Sequence, residues 1–358
     1  MNKNKNLIFI IPDLDIGGAQ RILIFLVNFL IKKKFNIKII LLKKKKQISF
    51  KLSKKVKVKS LNLYKPSLNI FQKIFYNLYR IIKIREEIKN YNSYKIISFL
   101  STTNVLTLIA AIGLNKKIIV NERNDPSKQQ LPVVWKFLRL IFYRYADKII
   151  TNLPHIKNNF FYKKSYFIPN PIILFSPKEK KINKRKIILT VARLNYQKNI
   201  DLLIKSFSKS LAIKKNWRLI IVGKGDDKNR LIKLTNDLNI KKFVNFKGII
   251  EKIDFWYKKT EIFILPSRYE GMPNALIEAM NYKKAIIASD IPGIKYFIKN
   301  NVNGILFKVN DEKTLINNIN LLITNKKLRK ILGNKAYKDV NRIANPKIFL
   351  NSWLKYLK

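Results

Sequence analysis

Short apolar runs alternate with longer amphipathic segments along the whole chain. In the first half, apolar runs at residues 7–11 and 37–42 flank a helical pattern at about 19–33, which predicts two buried strands joined by a helix. The same alternation predicts further buried strands at residues 95–100, 117–120 and 148–151. Strands that alternate with helices in this way are typical of α/β domains with parallel sheets.

The step Pro169-Asn170-Pro171 divides the chain, and the alternation starts again after it. Proline ends both helices and strand ladders, so this step predicts a hinge between two domains. Beyond it, short buried strands are predicted at residues 187–191, 217–222, 243–246, 262–265 and 285–288. The length of 358 residues fits two domains of about 150–180 residues, which we place at 1–170 and 171–340.

Composition excludes several classes of protein and site. A hydrophobic content of 47% argues against a disordered chain. The absence of cysteine excludes disulfide frameworks, cysteine nucleophiles and thiolate metal sites. The single histidine, His155, excludes a histidine-rich metal site, and we interpret it as incidental. Asp13 and Asp15 could pair on a metal, but no third ligand lies near them in the sequence, so no metal is expected.

The net charge of +53 has two interpretations. Such an excess points to nucleic acid or to an anionic membrane as a partner. Of the 74 basic residues, however, 61 are lysine, and enrichment of lysine together with asparagine and isoleucine suggests a coding bias. A dedicated nucleic-acid surface would favour arginine, whose planar fork fits phosphate and guanine.

Residues 32–95 hold 20 basic and two acidic side chains, and the segment 71–85 within them is amphipathic. Its stripe of apolar residues at helical spacing predicts either a helix that faces the core or a helix that lies on an anionic bilayer. No run reaches the ~18 apolar residues of a membrane span, and the first run is too short for a secretory signal. We therefore expect a cytoplasmic protein, either soluble or peripheral at the membrane. The stripe consists of Phe71, Ile74, Phe75, Leu78 and Ile82.

Four loops that follow predicted strands carry candidate chemistry, because ligands of parallel sheets bind where the strands end. In the first loop, Gly17 and Gly18 open a helix whose free amides attract an anion, and Arg21 adds a positive charge. A purely structural glycine turn is the alternative. In the second loop, Arg193 and Lys198 could clamp a diphosphate and stabilise its departure, or they could be two surface cations.

The third loop contains Gly223 in a Gly-x-Gly turn, which is a weak signal on its own. The fourth loop, at residues 264–280, gives the sharpest signal. Glu270 lies in the loop, Asn274 opens a helix, and Glu278 lies one turn inside that helix. Acids are rare in this chain, so two that frame one loop predict a ligand site, where amides at the helix N-terminus suit a phosphate. A helix-capping acid beside a solvent-facing acid is the alternative.

The spacing from Glu270 to Glu278 resembles the E-x7-E signature of retaining nucleotide-sugar glycosyltransferases with the GT-B fold, carbohydrate-active family 4 or glycosyltransferase group 1. The resemblance implies two Rossmann-like domains with doubly wound parallel sheets that face a cleft. It also implies a final helix, at residues 341–358, that packs back on the N-terminal domain. Motifs in the family's order span nearly the whole chain, at residues 17–21, 191–194, 198–199, 222–225, 246–248, 289–293 and 303–307.

The same resemblance implies roles for the site residues. Arg193 and Lys198 would hold the donor diphosphate and neutralise the leaving nucleotide. Glu278 would bind the ribose hydroxyls, and Glu270 would orient the transferred sugar. No metal or other cofactor is implied, because cations and amides can stabilise a departing diphosphate. Further residues would line the donor site, namely Gly17, Gly18, Gly223, Gly271, Met272 and Asn274.

The segment 120–126 departs from the histidine-bearing loop of many relatives. Its Glu122 and Arg123 resemble a subset that builds bacterial surface polysaccharides and protein-linked glycans, often from N-acetylgalactosamine donors. The resemblance implies that these two residues contact the acceptor or the donor, and we place them, with Arg21, on the acceptor side of the reaction. The implied reaction is transfer, with retention, from a UDP-sugar to a polyprenyl-diphosphate-linked glycan.

The same reading places the enzyme at an anionic membrane surface, peripheral at the inner face of the plasma membrane. The alternatives are a GT-B nucleotide-sugar epimerase, a basic nucleic-acid-binding protein and a membrane scaffold with an inactive site. No nucleic-acid partner is expected, because no module with clustered arginines and interleaved aromatic residues is visible.

Overall fold

The computed structural model describes residues 5–15, 17–44, 50–64, 69–123, 125–126, 129, 131–154, 164–173, 185–250 and 253–357. The chain divides into two units, unit 1 with residues 1–170 and 347–358, and unit 2 with residues 171–346. The first division falls at the Pro169-Asn170-Pro171 step. The second falls between Pro346 and Lys347, so residues 341–346 belong to unit 2 and not to a C-terminal segment that starts at 341.

Unit 1 is built from parallel strands whose central members are the apolar runs of the sequence. Its strands are β1 Asn6–Ile11, β2 Asn36–Leu41, β3 Lys57–Ser60, β4 Lys95–Phe99, β5 Lys117–Glu122, β6 Lys148–Thr151 and β7 Ser165–Phe167. Its helices are α1 Gly18–Lys32, α2 Ile70–Lys89, α3 Ser101–Ala111 and α4 Val133–Phe142. The strands form one sheet in the order β3-β2-β1-β4-β5-β6-β7. The central strands are buried because helices cover both faces.

Unit 2 repeats this plan. Its strands are β8 Ile187–Val191, β9 Arg218–Val222, β10 Val244–Phe246, β11 Ile262–Leu265, β12 Ala285–Ser289 and β13 Ile305–Phe307. Its helices are α5 Ile200–Lys209, α6 Lys228–Asp237, α7 Asp254–Lys259, α8 Asn274–Asn281, α9 Pro292–Lys295, α10 Glu312–Thr324 and α11 Lys326–Ile343. The strands form a parallel sheet in the order β10-β9-β8-β11-β12-β13. Successive strands are added on one side of β8 up to β10 and on its other side from β11 onward. Doubly wound sheets bind ligands at this change of direction, between β8 and β11.

The last helix, α12 Pro346–Leu357, packs into unit 1 although it follows unit 2 in the chain. Its Phe349 and Trp353 are buried, and the Trp353 ring stacks on Phe99 at the end of β4 with the two ring centroids 6.5 Å apart. Phe349 also contacts Phe25 of α1. An aromatic cluster therefore fixes α12 to one face of the first sheet.

Helix α2 does not bury its apolar stripe in unit 1. Ile84 and Ile88, near its C-terminus, are buried, whereas the stripe from Phe71 to Ile82 is more than half exposed at every position. The core-facing interpretation of these residues is therefore wrong. Within the described part of the chain, no helix has both the length and the apolar character needed to cross a membrane.

Candidate functional site

The carboxyl ends of the strands in unit 2 gather the loops that the sequence singles out. Because β8, β9, β11 and β12 are neighbours or near neighbours in one parallel sheet, the loops that follow them leave from the same edge. The loop after β8 carries Arg193 and Lys198, and the loop after β11 carries Glu270. This edge therefore brings together residues that are far apart in the sequence.

The Gly-x-Gly turn after β9 supports the backbone that carries Arg193. A Cβ atom added at Gly223 would lie 1.8 Å from the carbonyl oxygen of Ala192, and one added at Gly225 would lie 2.0 Å from that of Leu194. Gly223 also has a φ of +142°, which side-chain-bearing residues rarely adopt. The two glycines thus allow two loops to pack backbone to backbone, and the Arg193 side chain is left exposed beside them.

The loop after β8 is tied to the loop after β11 by hydrogen bonds. The backbone N–H of Arg268 donates to the carbonyl oxygen of Gln197 over 2.8 Å, and the Gln197 side chain donates to the carbonyl oxygen of Tyr269 over 2.9 Å. The Arg268 guanidinium stacks on the ring of Tyr196, 4.1 Å from its centroid. These contacts fix the position of Lys198 relative to Glu270.

Lys198 and Glu270 form the central contact of this site. The Lys198 Nζ atom lies 2.5 Å from Oε1 of Glu270, and the Ser267 hydroxyl donates to the same oxygen over 2.7 Å. The Glu270 residue is only 8% exposed. The carboxylate is thus fixed in direction, with a cation beside it.

Helix α8 supplies the rest of the predicted donor site. It begins at Asn274 after Pro273, and no side chain of the preceding residue caps it. Glu278 is buried one turn inside the helix, and Met272 is buried before its start. A Cβ atom at Gly293 would lie 1.9 Å from the carbonyl oxygen of Gly271, so α9 packs closely under the loop.

In unit 1, hydrogen bonds hold the glycine loop after β1 in place. The backbone N–H of Arg21 donates to the carbonyl oxygen of Gly17, and α1 begins at Gly18. The Gln20 side chain and Lys43 donate to the two carboxylate oxygens of Asp13 over 2.8 and 2.7 Å.

Burial alone would raise the pKa of the Asp13 carboxyl, but these two bonds outweigh it and lower the pKa. The residues that the structure describes contain no group of three or more acidic, histidine or cysteine side chains that could hold a metal ion.

Glu122 and Arg123 follow one another at the end of β5 but point to opposite faces of the sheet. The Glu122 carboxylate accepts from the Tyr143 hydroxyl over 2.7 Å and contacts the Ser101 hydroxyl, on the side of α3 and α4. The Arg123 guanidinium lies over the ring of Phe99, on the side of the aromatic cluster. Glu122 therefore holds the end of β5 against α3, whereas Arg123 lies on the opposite face of the sheet, with Phe99.

Arg123 is unusual among the charged residues of unit 1. It is 8% exposed, and its Nη1 donates to Oδ1 of Asn170 over 2.8 Å. Burial lowers the pKa of its guanidinium to about 9. Leu100, which follows Phe99 in the chain, has a φ of +76°, a strained backbone conformation of the kind that collects at functional sites.

Sequence reasoning missed the residues that orient the site. Ser267 and Gln197 hold Glu270 and the loop of Lys198, and Asn170 holds Arg123. Ser267, three residues before Glu270, was detectable as a local hydrogen-bond donor. His155 lies outside the described residues, as does Asn124 of the segment 120–126.

The chain is similar in sequence to known glycosyltransferases. The family described as "Glycosyl transferases group 1" matches residues 173–339. A Campylobacter jejuni protein named GalNAc-alpha-(1->4)-GalNAc-alpha-(1->3)-diNAcBac-PP-undecaprenol alpha-1,4-N-acetyl-D-galactosaminyltransferase is 30% identical over 92% of this chain and 91% of its own length. A second C. jejuni protein, N-acetylgalactosamine-N,N'-diacetylbacillosaminyl-diphospho-undecaprenol 4-alpha-N-acetylgalactosaminyltransferase, is 29% identical over 97% of this chain and 98% of its own length.

Solved structures match over the full chain. TarM of S. aureus has a TM-score of 0.82 at 14% identity and covers 99% of this chain and 99% of its own. HepE of Anabaena, solved in complex with UDP, has a TM-score of 0.77 at 16% identity and covers 98% and 99%. At these identities the likeness concerns the fold alone.

Proposed function

Because this chain belongs to the group 1 glycosyl transferases, we propose that it transfers an N-acetylhexosamine from a UDP-sugar to a polyprenyl-diphosphate-linked glycan. The GT-B fold and the glycosyltransferase class that the sequence predicts are both confirmed. The observation that carries the proposal is the Lys198–Glu270 pair, formed between the loop after β8, which also carries Arg193, and the loop after β11, at the ligand-binding edge of unit 2. The names of the C. jejuni relatives, which specify lipid-linked acceptors and α linkages, support the acceptor class and retention.

The donor end of the mechanism follows from charge. Cleavage of the sugar–phosphate bond leaves a diphosphate with growing negative charge, which positive groups stabilise in the transition state. Arg193 and Lys198 would provide two cations, and the N-terminus of α8 would provide backbone amides. Glu278, buried one turn inside α8, would accept hydrogen bonds from the ribose hydroxyls.

Glu270 would orient the sugar and keep Lys198 in place before the donor binds. Its Oε1 atom accepts from both Lys198 and Ser267, so the carboxylate direction is set before any substrate arrives. A preorganised carboxylate and cation avoid reorganisation during the reaction, which is the main source of electrostatic catalysis.

The test of the proposed reaction is a panel of UDP-sugars offered with polyprenyl-diphosphate-linked glycans in detergent, measured as UDP release and as glycosylated lipid. The parent should use at least one pair, and Glu270→Gln and Arg193→Gln should each lower the rate by about 10²–10³-fold. Glu86→Gln, the same change on an exposed carboxylate, should keep the parent rate. Interconversion of UDP-sugars without acceptor, or no transfer alongside tight salt-sensitive DNA binding, would contradict the proposal.

We further propose that unit 1 binds the surface of an anionic bilayer at the inner face of the plasma membrane. Helices α2 and α4 both pack against α3, and both turn large apolar side chains outward. Basic residues such as Lys73 and Lys136 lie among them, so apolar groups can enter the headgroup layer while lysines meet lipid phosphates. The exposed apolar residues are Ile70, Phe71, Ile74, Phe75, Leu78, Tyr79 and Ile82 on α2 and Val133, Val134, Phe137 and Leu140 on α4.

Flotation with vesicles tests the membrane proposal. The parent should float with vesicles that contain anionic lipid and float less with neutral ones. The paired changes Phe71→Asp and Phe137→Asp should abolish flotation, because both side chains are more than half exposed on this surface. Ile331→Asp, on an exposed apolar residue of unit 2, is the matched control and should float like the parent. Equal binding of the parent to both vesicle types, or none, would contradict the proposal.

A further inference from the structure

The end of β5 holds a cluster of buried polar atoms that the fold itself does not satisfy. Of the Arg123 guanidinium, Nη1 is bonded to Asn170, whereas Nε and Nη2 have no hydrogen-bond partner among the described residues. The side chain of Asn121 is buried, and neither its oxygen nor its nitrogen bonds to any described residue. The Oδ1 atom of the buried Asn152 also has no such bond.

The strand register places these groups side by side. Asn121 lies opposite Phe99 in the strand register, so both side chains point to the same face of the sheet. Arg123, the residue that follows β5, places its guanidinium over the Phe99 ring and so lies on that face too. Glu122 pairs with Thr151 of β6, which sets Asn152 beside Arg123 at the same edge. Three polar side chains with unmet bonds therefore converge on one place in unit 1.

Such a cluster lowers the stability of the folded chain unless a ligand forms the missing hydrogen bonds. A buried cation without a counterion destabilises the folded chain, and buried amides without partners add to the cost. Arg329 of unit 2 shows how a guanidinium is paired elsewhere in this chain. Its Nε and Nη2 both donate to the Glu261 carboxylate, over 2.9 and 2.6 Å. At Arg123 the same two nitrogens meet no carboxylate in the part of the chain that the structure describes, and burial lowers the pKa of the guanidinium.

We propose that Arg123, with Asn121 and Asn152, is a subsite for a phosphate oxyanion of the acceptor substrate. Nε and Nη2 form one edge of the guanidinium, and that edge binds two oxygens of a phosphate in parallel. The Asn121 Nδ2 would donate to an ester oxygen next to it, and Oδ1 of Asn121 and of Asn152 would accept from neighbouring hydroxyl groups. The identity of the acceptor rests on the proposed function, whereas phosphate recognition rests on the unmet bonds alone.

Kinetics with two acceptors in detergent test the source of the phosphate. One acceptor carries the glycan on a polyprenyl diphosphate, and the other carries the same glycan on a neutral alkyl group. Arg123→Gln should raise KM for the diphosphate acceptor by about 10–100-fold, since a charged hydrogen bond to phosphate contributes about 1.5–3 kcal/mol. KM for the neutral acceptor and for the donor should stay unchanged. Arg123→Lys, which keeps the charge but loses the two-nitrogen edge, should shift KM in the same direction.

Two outcomes of the kinetic test would overturn the subsite. One is an equal loss of activity with both acceptors, and the other is a rise in KM for the donor instead of the acceptor. Arg218→Gln, which removes a guanidinium from an exposed position at the start of β9, is the control for net charge and should leave both KM values unchanged.

Binding of inorganic pyrophosphate tests the subsite without any transfer reaction. If the parent used no acceptor, that result would contradict the proposed function but not the phosphate subsite. In the Arg193→Gln background, where the predicted donor site is weakened, pyrophosphate should still raise the unfolding temperature. The double variant with Arg123→Gln should lose that rise, and the double variant with Arg123→Lys should lose most of it. A rise that persists unchanged in both double variants would refute phosphate recognition by Arg123.

Discussion

Replacement of Gly223 by alanine tests whether the Gly-x-Gly turn positions Arg193. At a φ of +142°, an alanine costs about 1–3 kcal/mol in backbone strain. Its Cβ would lie 1.8 Å from the carbonyl oxygen of Ala192, and real Cβ contacts are essentially never shorter than 3.0 Å. The backbone just before Arg193 must therefore move by more than 1 Å. A displacement of that size at a catalytic group lowers a rate by about 10²-fold.

Gly248→Ala is the matched control for this change. Gly248 also has a positive φ, +61°, but no atom lies within 4 Å of its would-be Cβ. It should show only the strain of a left-handed alanine, about 1–2 kcal/mol, with the transfer rate preserved. Urea unfolding and UDP release from the two purified variants measure both effects. Equal unfolding midpoints and equal transfer rates for Gly223→Ala and Gly248→Ala would refute the argument.

Two further substitutions probe the packing and the electrostatics of unit 1. Trp353→Ala should destabilise unit 1 by about 3–5 kcal/mol in urea unfolding, because the fully buried indole leaves a cavity, whereas Ile348→Ala on the exposed side of α12 should cost under about 0.5 kcal/mol. Asp13→Asn should lower stability at neutral pH. Burial raises the pKa of Asp13, but the bonds from Lys43 and Gln20 lower it overall in the folded chain. The ionised carboxylate therefore stabilises the folded chain above the pKa of Asp13 in the unfolded chain, about 4. This stabilisation is lost as the pH falls through the lower pKa of the folded chain. Unfolding curves from about pH 7 to pH 2 should therefore converge for parent and variant, and a constant gap would contradict the assignment.

The central strands could be predicted from the sequence because each is an apolar run buried on both faces. The edge strands could not. β3 alternates lysines with small or apolar residues and lies at the edge of the sheet, and β7 has three residues, so neither has the composition of a buried strand. Their pairing with β2 and β6 depends on tertiary contacts that no local pattern encodes.

The site could be predicted in part. Glu270 and Arg193 stand out because acids and arginines are scarce in this chain. The contact between Lys198 and Glu270 joins residues 72 positions apart and depends on the strand order. The unmet bonds of Arg123 were equally hidden, because they depend on which neighbours fail to reach it.

The direction that the apolar stripe of α2 faces could not be predicted from the sequence. Its spacing predicts the helix, yet the same period fits a helix that faces the core and one that faces outward. Only the exposure of Phe71 and its neighbours in the folded chain distinguishes the two.

The return of α12 to unit 1 has a consequence for synthesis on the ribosome. Phe99 and Phe25 are translated early, but the aromatic side chains that cover them, Phe349 and Trp353, are translated only after unit 2. At about 5–20 residues per second, translation of unit 2 keeps this apolar face open for roughly ten to thirty seconds. The nascent chain thus offers a binding surface to holdase chaperones, and a fragment that ends near residue 170 should aggregate.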